Sequence, residues 1–251
     1  MYLKHFIIKT GKDIFIRFPK RIFRSLEYID EFRKFKAQSD SRFDIFVKEA
    51  YPCLTDKIQF TPFDAHYTYH PAWAARKVFQ LQPKKHIDIS SILSFSTIIS
   101  AFVPVKFYDY RPAKLNLSGL GSGFADLKKL PFPDDSIESL SCMHTIEHIG
   151  LGRYGDELDS KGDLKAVSEL KRVLKADGDL LFVTPVGRPR IEFNAHRIYS
   201  FNQIIDYFHP LTLNEFSLVT DDGQFIENAD PDLVKSQEYG CGCFWFKKNI
   251  G

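Results

Sequence analysis

The chain has 251 residues, 44% hydrophobic and 26% charged, as expected of an ordinary globular protein with room for one substantial domain and an extension. Its net charge of +2 does not indicate nucleic-acid binding, and no run of about 18 apolar residues indicates a transmembrane helix. The N-terminus lacks the apolar core of a signal peptide, so we expect a cytoplasmic protein. Because the four cysteines lack zinc-type spacing, we expect reduced thiols and predict no metal site.

Residues 1–45 form a distinct segment in which basic and bulky apolar side chains are interleaved. Such a segment is suited to an anionic membrane surface or to a partner protein. We favour a helical extension that packs on its own domain or on a second subunit of a homodimer, since most such apolar faces are core. Residues 46–251 would form the main domain. The basic residues are Lys4, Lys9, Lys12, Arg17, Lys20, Arg21, Arg24, Arg33, Lys34 and Lys36.

Between residues 44 and 109 the pattern changes from irregular to alternating helix and strand. The segment from Asp44 to Phe60 looks helical at first and then irregular. The aromatic and histidine side chains of residues 66–71 are placed to line the mouth of a pocket. The elements predicted after them are a helix at Trp73–Leu81, a strand at His86–Ile89, a helix at Ile92–Phe102 and a strand at Val105–Tyr108.

The centre of the chain continues this alternation. A strand is predicted at Ile137–Met143, followed by a loop and an amphipathic helix with a capping box at Ser160 and Asp163 and a stop at Gly178. The apolar run Leu180–Thr184 is typical of a parallel strand covered on both faces. These elements predict an α/β fold with a doubly wound, mostly parallel sheet. Two further strands without a helix between them, Glu215–Val219 and Phe244–Lys247, predict a C-terminal antiparallel pair.

The central motifs resemble those of class I S-adenosylmethionine-dependent methyltransferases, which have a Rossmann-like sheet. The motif residues are Asp126, Leu130-Pro131-Phe132, Asp135-Ser136, Glu147-His148, Glu169, Arg172-Val173-Leu174-Lys175 and Gly178. The longer patterns EHIGLGRYGD, VGRPRIEFNAHRIYS and EYGCGCFWF resemble an uncharacterised methyltransferase-like family often found beside bacterial surface-polysaccharide genes. This resemblance spans about Tyr67 to Lys248 and implies a methyltransferase that acts on a small molecule, such as a sugar of surface-glycan synthesis.

The resemblance also implies a set of cofactor-binding residues. Asp88 and Asp109 lie 21 positions apart, the spacing at which an acid follows the first turn and accepts ribose hydroxyls. Asp109 would hold the ribose of S-adenosylmethionine, and Asp126 would take the adenine amino group beside the Leu127 backbone. The other residues assigned to the cofactor are Ser90, Ser91, Tyr110 and His144.

The distribution of glycines departs from the methyltransferase pattern. The first turn, Asp88–Ser94, contains none, so a position that needs a positive φ would be strained, although the amides of Ser90 and Ser91 could still face a ligand. The glycines of Gly119–Gly123 come before the third strand rather than after the first. We therefore interpret them as a flexible loop and not as a ligand-binding turn.

Residues 144–148 carry the main candidates for catalysis. They match the zinc signature H-x-x-E-H, which would need a helix throughout and a third protein ligand. The methyltransferase pattern predicts the same Glu-His at a strand end, where His148 or Glu147 could deprotonate a substrate hydroxyl. Alternatively, the two residues only tie the loop together through hydrogen bonds. His196 is a third catalytic candidate.

A polar and cationic set follows in the loops near the same sheet edge and is suited to a sugar, a phosphate or a carboxylate. A solvated loop with internal ion pairs is the alternative. We therefore expect a methyltransferase, with two other functions left open: a non-catalytic protein of the same fold that binds a partner or glycan intermediate, and a zinc hydrolase. The substrate-binding set is Arg153, Tyr154, Arg188, Asn194 and Arg197.

Overall fold

A computed structural model describes residues 22–40 and 42–249. The described residues form two compact units, one that ends at Pro62 and one that begins at Phe63. The boundary predicted after residue 45 therefore lies inside the first unit. No helix in the described ranges is long and apolar enough to cross a membrane.

The first unit contains one long helix, α1, over residues 22–37. After it, the only regular structure in the described part of this unit is a short 3-10 turn at Val47–Glu49, so the helical start predicted at Asp44 is wrong. The unit is held together by Arg24, which donates to the Leu54 carbonyl at 2.9 Å, and by Lys57, which pairs with Glu27 at 3.0 Å. The basic residues from Lys4 to Arg21 lie outside the described residues, so the role predicted for residues 1–40 stays a prediction.

The second unit is built on an eight-stranded sheet with the order β3-β2-β1-β4-β5-β10-β8-β9. Strands β1 to β5 are parallel to their neighbours, whereas β10, β8 and β9 are antiparallel. The fold class predicted from the sequence is thus confirmed. The strands are β1 His86–Asp88, β2 Val105–Asp109, β3 Leu120–Phe124, β4 Ile137–Met143, β5 Leu174–Val186, β8 Thr212–Val219, β9 Phe225–Ile226 and β10 Gly240–Lys247, and a separate hairpin consists of β6 Arg190–Glu192 and β7 His196–Ile198.

Helices cover both faces of the sheet because their apolar stripes need burial. Helices α2 (Ala65–Leu81) and α3 (Leu93–Ile99) contribute Trp73, Val78 and Phe95 to the core on one face. Helices α4 (Gly162–Val173) and α5 (Phe201–Phe208) contribute Leu170 and Phe208 to the core on the other. Central strand β5 is buried from Asp179 to Val186, as its continuous apolar run indicates.

Side-chain caps fix where two of these helices begin. Asp64 accepts a hydrogen bond from the Tyr67 amide at the start of α2, and Ser200 forms a capping box with Gln203 at the start of α5. The capping box predicted at Ser160 and Asp163 is wrong, because Lys161 precedes α4 without a side-chain cap. The predicted stop at Gly178 is also wrong, since α4 ends at Val173 and the chain enters β5 directly.

The glycine-rich segment predicted as a flexible loop is strand β3, at the edge of the sheet. It pairs with β2 over five residues, from Leu120 opposite Val105 to Phe124 opposite Asp109. A Cβ atom at Gly123 would lie 2.8 Å from the ring of Tyr108. The glycine therefore allows the Tyr108 side chain to lie across the edge strand.

Candidate functional site

A cavity of about 340 Å³ lies at the carboxyl ends of β1, β2, β3 and β4, the edge at which ligands bind in open α/β sheets. The turn after β1 contributes Ser90 and Ser91, and the end of β2 contributes Asp109 and Tyr110. The remaining lining residues are Ile89, Tyr108, Arg111, Ala125, Asp126, Leu127, Lys128, His144, Thr145, His148, Ile149, Tyr154, Asp156 and Glu157. We call it the first cavity. Every residue predicted to bind the cofactor lines it except Asp88.

Asp88 does not reach the cavity because it is fully buried beneath the first turn. Its carboxylate accepts hydrogen bonds from the hydroxyls of Ser90, Ser96 and Ser141, the last at 2.6 Å. Ser90 in turn accepts a hydrogen bond of 3.0 Å from the Met143 amide. The predicted contact between Asp88 and the cofactor is therefore replaced by a structural role: the carboxylate holds the turn through serine hydroxyls.

The missing glycines do not strain this turn. No residue from Asp88 to Ser94 has a positive φ, so a serine fits each position as well as a glycine would. The expected strain is thus absent. The Ser91 amide is engaged, since it donates to the Met143 carbonyl at 3.1 Å, and it does not face the cavity as a free donor.

A buried histidine extends the same hydrogen-bond network. Ser141 donates to Asp88, so its oxygen accepts from Nε2–H of His86 at 2.8 Å, and Ser139 donates to Nδ1 of His86 at 2.8 Å. Burial lowers the pKa of His86 to about 3. Burial raises the pKa of Asp88 to about 6, although the three serine hydroxyls act in the opposite direction. We call His86, Asp88, Ser90, Ser96, Ser139 and Ser141 the serine network.

Two carboxylates are held at the wall of the first cavity. Asp109, at the end of β2, accepts a hydrogen bond of 2.6 Å from the Arg111 amide. Asp126, two residues after β3, accepts one of 2.8 Å from the Lys128 amide. In each case the carboxylate accepts from the amide two residues later in its own turn, and this hydrogen bond holds the side chain at the cavity wall. Both acids are suited to accept hydrogen bonds from a polar ligand.

The loop after β4 closes one side of the first cavity. Tyr154 lines the cavity, and the Arg111 guanidinium lies 4.5 Å from the centre of its ring. Asp156 accepts a hydrogen bond of 2.7 Å from the Gly150 amide, which closes the loop on itself. Gly150 has a φ of +77°, and a Cβ atom there would lie 2.1 Å from the Asp159 carbonyl oxygen. The glycine-rich loop is therefore a wall of the first cavity, and its place beside a substrate stays a prediction.

A second cavity, of about 500 Å³, adjoins the first. The two share Ser91, His144, His148 and Tyr154, so they meet at the loop that follows β4. The other residues that line the second cavity are Tyr67, Glu147, Arg153, Phe193, Asn194, Ala195, His196 and Tyr239. Two adjoining compartments can hold two ligands with their reacting groups at the shared histidines.

His148 is oriented by a carbonyl of the hairpin loop between β6 and β7. Its Nδ1–H donates to Ala195 at 2.6 Å, and Arg153 donates to the same oxygen at 3.2 Å. This leaves Nε2 as the acceptor nitrogen, 3.9 Å from the Glu147 carboxylate. His148 thus has the tautomer that a general base at the junction of the cavities requires.

Glu147 is buried beside both histidines of the H-x-x-E-H segment. Its Oε1 accepts a hydrogen bond of 2.9 Å from Nδ1 of His144, whereas its Oε2 has no partner among the described residues. Burial raises the pKa of Glu147, but the hydrogen bond from His144 and the nearby imidazoles outweigh this effect, so the pKa lies below its usual value. Glu147 lines the second cavity as an ionised group that orients His144.

The segment is not the helix that a zinc-peptidase signature needs. His144 ends β4 with a φ of +50°, an uncommon conformation for a residue with a side chain, and Ile146–His148 form a 3-10 turn. The two histidines bond to different partners, Glu147 and Ala195. The interpretation as a zinc hydrolase through H-x-x-E-H is therefore not supported.

Only some of the residues predicted to bind substrate line the second cavity. Arg153, Tyr154 and Asn194 line the second cavity. Arg197 does not, because it is buried and donates to the Ile149 carbonyl at 2.7 Å, which makes it a structural residue of the loop. Arg188 is exposed, pairs with Glu238 at 3.5 Å and lines neither cavity, so its role in substrate binding stays a prediction that these cavities do not support.

His196, the third catalytic candidate, lines the second cavity. Its Nε2 lies 3.2 Å from the Glu192 carboxylate, and its ring lies 4.9 Å from that of Tyr239. Burial lowers its pKa despite the neighbouring carboxylates Glu192 and Glu147. Its position against the wall favours contact with a ligand over proton transfer.

The sequence interpretation missed two aromatic residues of this site. Tyr67 was noted only as part of a segment near a pocket mouth, and its ring stacks on His144 at 5.3 Å between centroids. Tyr239 stacks on His66 at 5.2 Å. Its signal was the EYGCGC motif, which had no assigned role because β10 is far from the other motifs in sequence.

Comparisons with known proteins identify the fold. A family model described as "Caenorhabditis protein of unknown function, DUF268" matches residues 133–211, less than half of the chain. No curated protein sequence matches this chain. The N-methyltransferase NodS from Bradyrhizobium japonicum WM9, solved with S-adenosylhomocysteine, is similar with a TM-score of 0.53 at 11% identity, over 79% of this chain and 92% of NodS. The YcgJ protein from Bacillus subtilis is similar with a TM-score of 0.51 at 16% identity, over 73% of this chain and 100% of YcgJ. The fold is methyltransferase-like, as the sequence resemblance implied.

Proposed function

We propose that this protein binds S-adenosylmethionine in the first cavity and transfers its methyl group to a small polar acceptor in the second. The observation that carries the proposal is the pair of adjoining cavities, which meet at His144 and His148 on the edge of a methyltransferase-like sheet. NodS, which has the same fold, was solved with S-adenosylhomocysteine, and this supports the choice of cofactor. The fold alone does not establish an activity, so the residues of the site must support it.

The residues of the first cavity fit the cofactor. The carboxylate of Asp109, at the end of β2, lines this cavity and would accept the two ribose hydroxyls. Asp126 and Leu127 would receive the adenine, with the carboxylate of Asp126 accepting from the exocyclic amino group. The unstrained turn at Ser90 and Ser91 leaves the cavity open on the side of β1. The ring of Tyr110 lines the same wall as Asp109.

The second cavity fits an acceptor that carries a hydroxyl or an amine. When bound, S-adenosylmethionine supplies a methyl group already activated by the sulfonium, so the protein needs to supply alignment and a proton acceptor. Nε2 of His148, the acceptor nitrogen at the junction of the cavities, would take the proton of the acceptor's hydroxyl or amine. Arg153 and Asn194 line this cavity and would hydrogen bond to other polar groups of the acceptor.

The polar lining favours a polyhydroxylated acceptor over an apolar one. Arg153, Asn194 and His196 present donors and acceptors, and Tyr67 and Tyr239 present ring faces of the kind on which sugars stack. A sugar of surface-glycan synthesis, the acceptor implied by the sequence resemblance, is therefore our proposed acceptor class.

Calorimetric titration with S-adenosylmethionine and S-adenosylhomocysteine tests the cofactor site. We expect wild-type protein to bind with a dissociation constant on the order of micromolar, about 8 kcal/mol of binding free energy. Asp109→Ala should weaken this binding by at least about tenfold, because it removes charge-assisted hydrogen bonds to the ribose. Asp232→Ala is the matched control: this exposed carboxylate pairs with Lys235 away from both cavities, and its loss should leave binding unchanged.

Two results would contradict the proposal. One is no binding of either compound by folded wild-type protein, which would favour the non-catalytic alternative of the same fold. The other is equal affinity in Asp109→Ala and Asp232→Ala, which would place the ligand elsewhere.

A further inference from the structure

A cluster of nitrogen and sulfur ligands lies beside the junction of the two cavities. His66 of α2, His144 at the end of β4 and Cys241 of β10 each contribute one ligand atom, and these atoms lie within 4.8 Å of one another. Among the described residues this is the one group of three such side chains close enough to hold an ion. The three residues come from three separate elements, and His144 and Cys241 are buried.

The distance between two of the three ligand atoms matches that of a metal site. Nε2 of His144 lies 3.4 Å from Sγ of Cys241. A zinc–nitrogen bond of about 2.0 Å and a zinc–sulfur bond of about 2.3 Å at a tetrahedral angle place the two ligand atoms about 3.5 Å apart. The His66 ring stacks on that of His144 with centroids 5.8 Å apart, and its ligand atom lies within 4.8 Å of the other two.

The surroundings of His144 fix the nitrogen that a metal needs. Glu147 accepts the hydrogen of Nδ1 at 2.9 Å, so the lone pair belongs to Nε2, which faces Cys241. A carboxylate behind a ligating histidine is the usual outer partner in zinc sites, where it sets the tautomer and the orientation of the ring. His144 has a left-handed backbone with a φ of +50°, an uncommon conformation for a residue with a side chain.

A second, independent observation is a buried nitrogen without a partner. His70 is completely buried in α2, with its ring 4.9 Å from that of His144. Its Nδ1 donates to the His66 carbonyl at 2.6 Å, which leaves Nε2 as an acceptor without a partner among the described residues. Buried polar atoms are rarely left unpaired, and a bound ion or water is a common reason when they are.

We propose that His66, His144 and Cys241 bind one zinc-class divalent transition-metal ion. Imidazole and thiolate together select Zn²⁺ and similar ions over Mg²⁺ or Ca²⁺, which prefer oxygen. Binding replaces the proton of the Cys241 thiol with the metal and releases that proton to solvent. Three protein ligands leave the fourth tetrahedral position for water or for a group from the second cavity, which His144 lines. The inference does not depend on methyl transfer.

The test uses the full chain with Cys53→Ser as the background, which removes the exposed thiol. This protein is stripped of metal and titrated with Zn²⁺ and, separately, with Co²⁺, whose thiolate charge-transfer absorption reports a sulfur ligand. We expect one equivalent of either ion and the charge-transfer band. Cys241→Ser should weaken binding at least about a hundredfold and abolish the band. Cys243→Ser should retain both, because Cys243 is not one of the three ligands and a serine hydroxyl can replace its thiol in the hydrogen bond with Cys241.

A second variant, at a partly buried metal-binding residue, keeps the test decisive if the first variant does not fold. If Cys241→Ser fails to fold, His66→Gln decides, since His66 is only partly buried and its replacement should weaken Zn²⁺ at least about tenfold in folded protein. The proposal is overturned if wild-type protein takes up less than one equivalent without the band, or if the decisive variant binds like Cys243→Ser. Because no S-adenosylmethionine is present, these results are separate from those of the cofactor titration.

Discussion

Two buried polar clusters lie near the junction of the cavities, and they differ in how completely their hydrogen bonds are made. In the serine network, the carboxylate of Asp88 accepts from three hydroxyls and both nitrogens of His86 have partners. In the cluster around His144, Nε2 of His70 and Oε2 of Glu147 have no partner among the described residues. A completed network stabilises a fold, whereas unpaired buried atoms indicate a ligand.

The two clusters also differ in whether their residues line a cavity. Asp88 and His86 are fully buried and line neither cavity. His144 lines both cavities, and Glu147 lines the second. We therefore expect substitutions in the serine network to change the stability of the fold, and substitutions around His144 to change ligand binding.

The largest effect should follow Ser141→Ala. This change removes the acceptor of the His86 Nε2–H and a donor to the ionised Asp88, two buried groups that no water can reach. We expect the free energy of unfolding in urea to fall by about 4 kcal/mol. Ser139→Ala, which removes only the donor to Nδ1 of His86, should cost about 1 kcal/mol and serves as the control. An equal decrease in unfolding free energy in the two variants would contradict the hydrogen-bond directions assigned to Ser139 and Ser141.

The next effect is a pH dependence, measured as the difference in unfolding free energy between Asp88→Asn and wild type. The pKa of Asp88 rises from 3.8 in the unfolded chain to about 6 in the fold, so the stability it contributes is full below pH 3.8 and is lost as the pH rises to about 6. Asparagine does not titrate. Relative to wild type, the variant should gain about 2 kcal/mol between pH 4 and pH 7.

His86 titrates in the opposite direction and does not disturb that comparison. Its pKa falls to about 3, so the stability it contributes is present above pH 6.5 and is lost as the pH falls toward 3. This change occurs in both proteins and cancels in the difference. A difference that stays constant from pH 4 to pH 7 would show that Asp88 ionises normally in the fold.

The smallest effect should follow His70→Leu in the other cluster. Nε2 of His70 has no partner among the described residues, so the variant loses only the hydrogen bond from Nδ1 to the His66 carbonyl. Leucine has a similar volume and keeps the contacts with the core of α2. We expect the free energy of unfolding to change by less than about 1 kcal/mol in the metal-free protein. A decrease in unfolding free energy as large as that of Ser141→Ala would mean that Nε2 of His70 is hydrogen-bonded. The two clusters would then not differ in how completely their polar atoms are paired.

The order of the elements could be predicted from the sequence because local patterns decide it. The strand at Ile137–Met143 was predicted to the residue, since a short apolar run bounded by turn residues has few alternatives. Strand β3 was missed because its glycines carry no strand signal of their own. Pairing with β2 orders the segment, and the close approach of Tyr108 requires the small residue at Gly123.

The candidate site was predictable to the extent that it follows from strand ends. Asp109 and Asp126 were placed from their positions after parallel strands, whose carboxyl ends share one edge. Arg188 and Arg197 line neither cavity, because a loop residue can turn to either side, and Arg197 turns inward to donate to the Ile149 carbonyl. The pair of His144 and Cys241 had no signal at all, since 97 residues separate the two.

The sequence by itself therefore determined the alternation of strands and helices, the edge at which ligands bind and the two acids there, because each follows from neighbouring residues or from a motif. Only the tertiary structure decided which buried polar groups are paired. The partners of Asp88 come from β4 and α3, and the neighbours of His144 come from α2 and β10. A hydrogen bond or a metal ligand depends on distances of a few tenths of an ångström, and the packing of the whole sheet sets those distances.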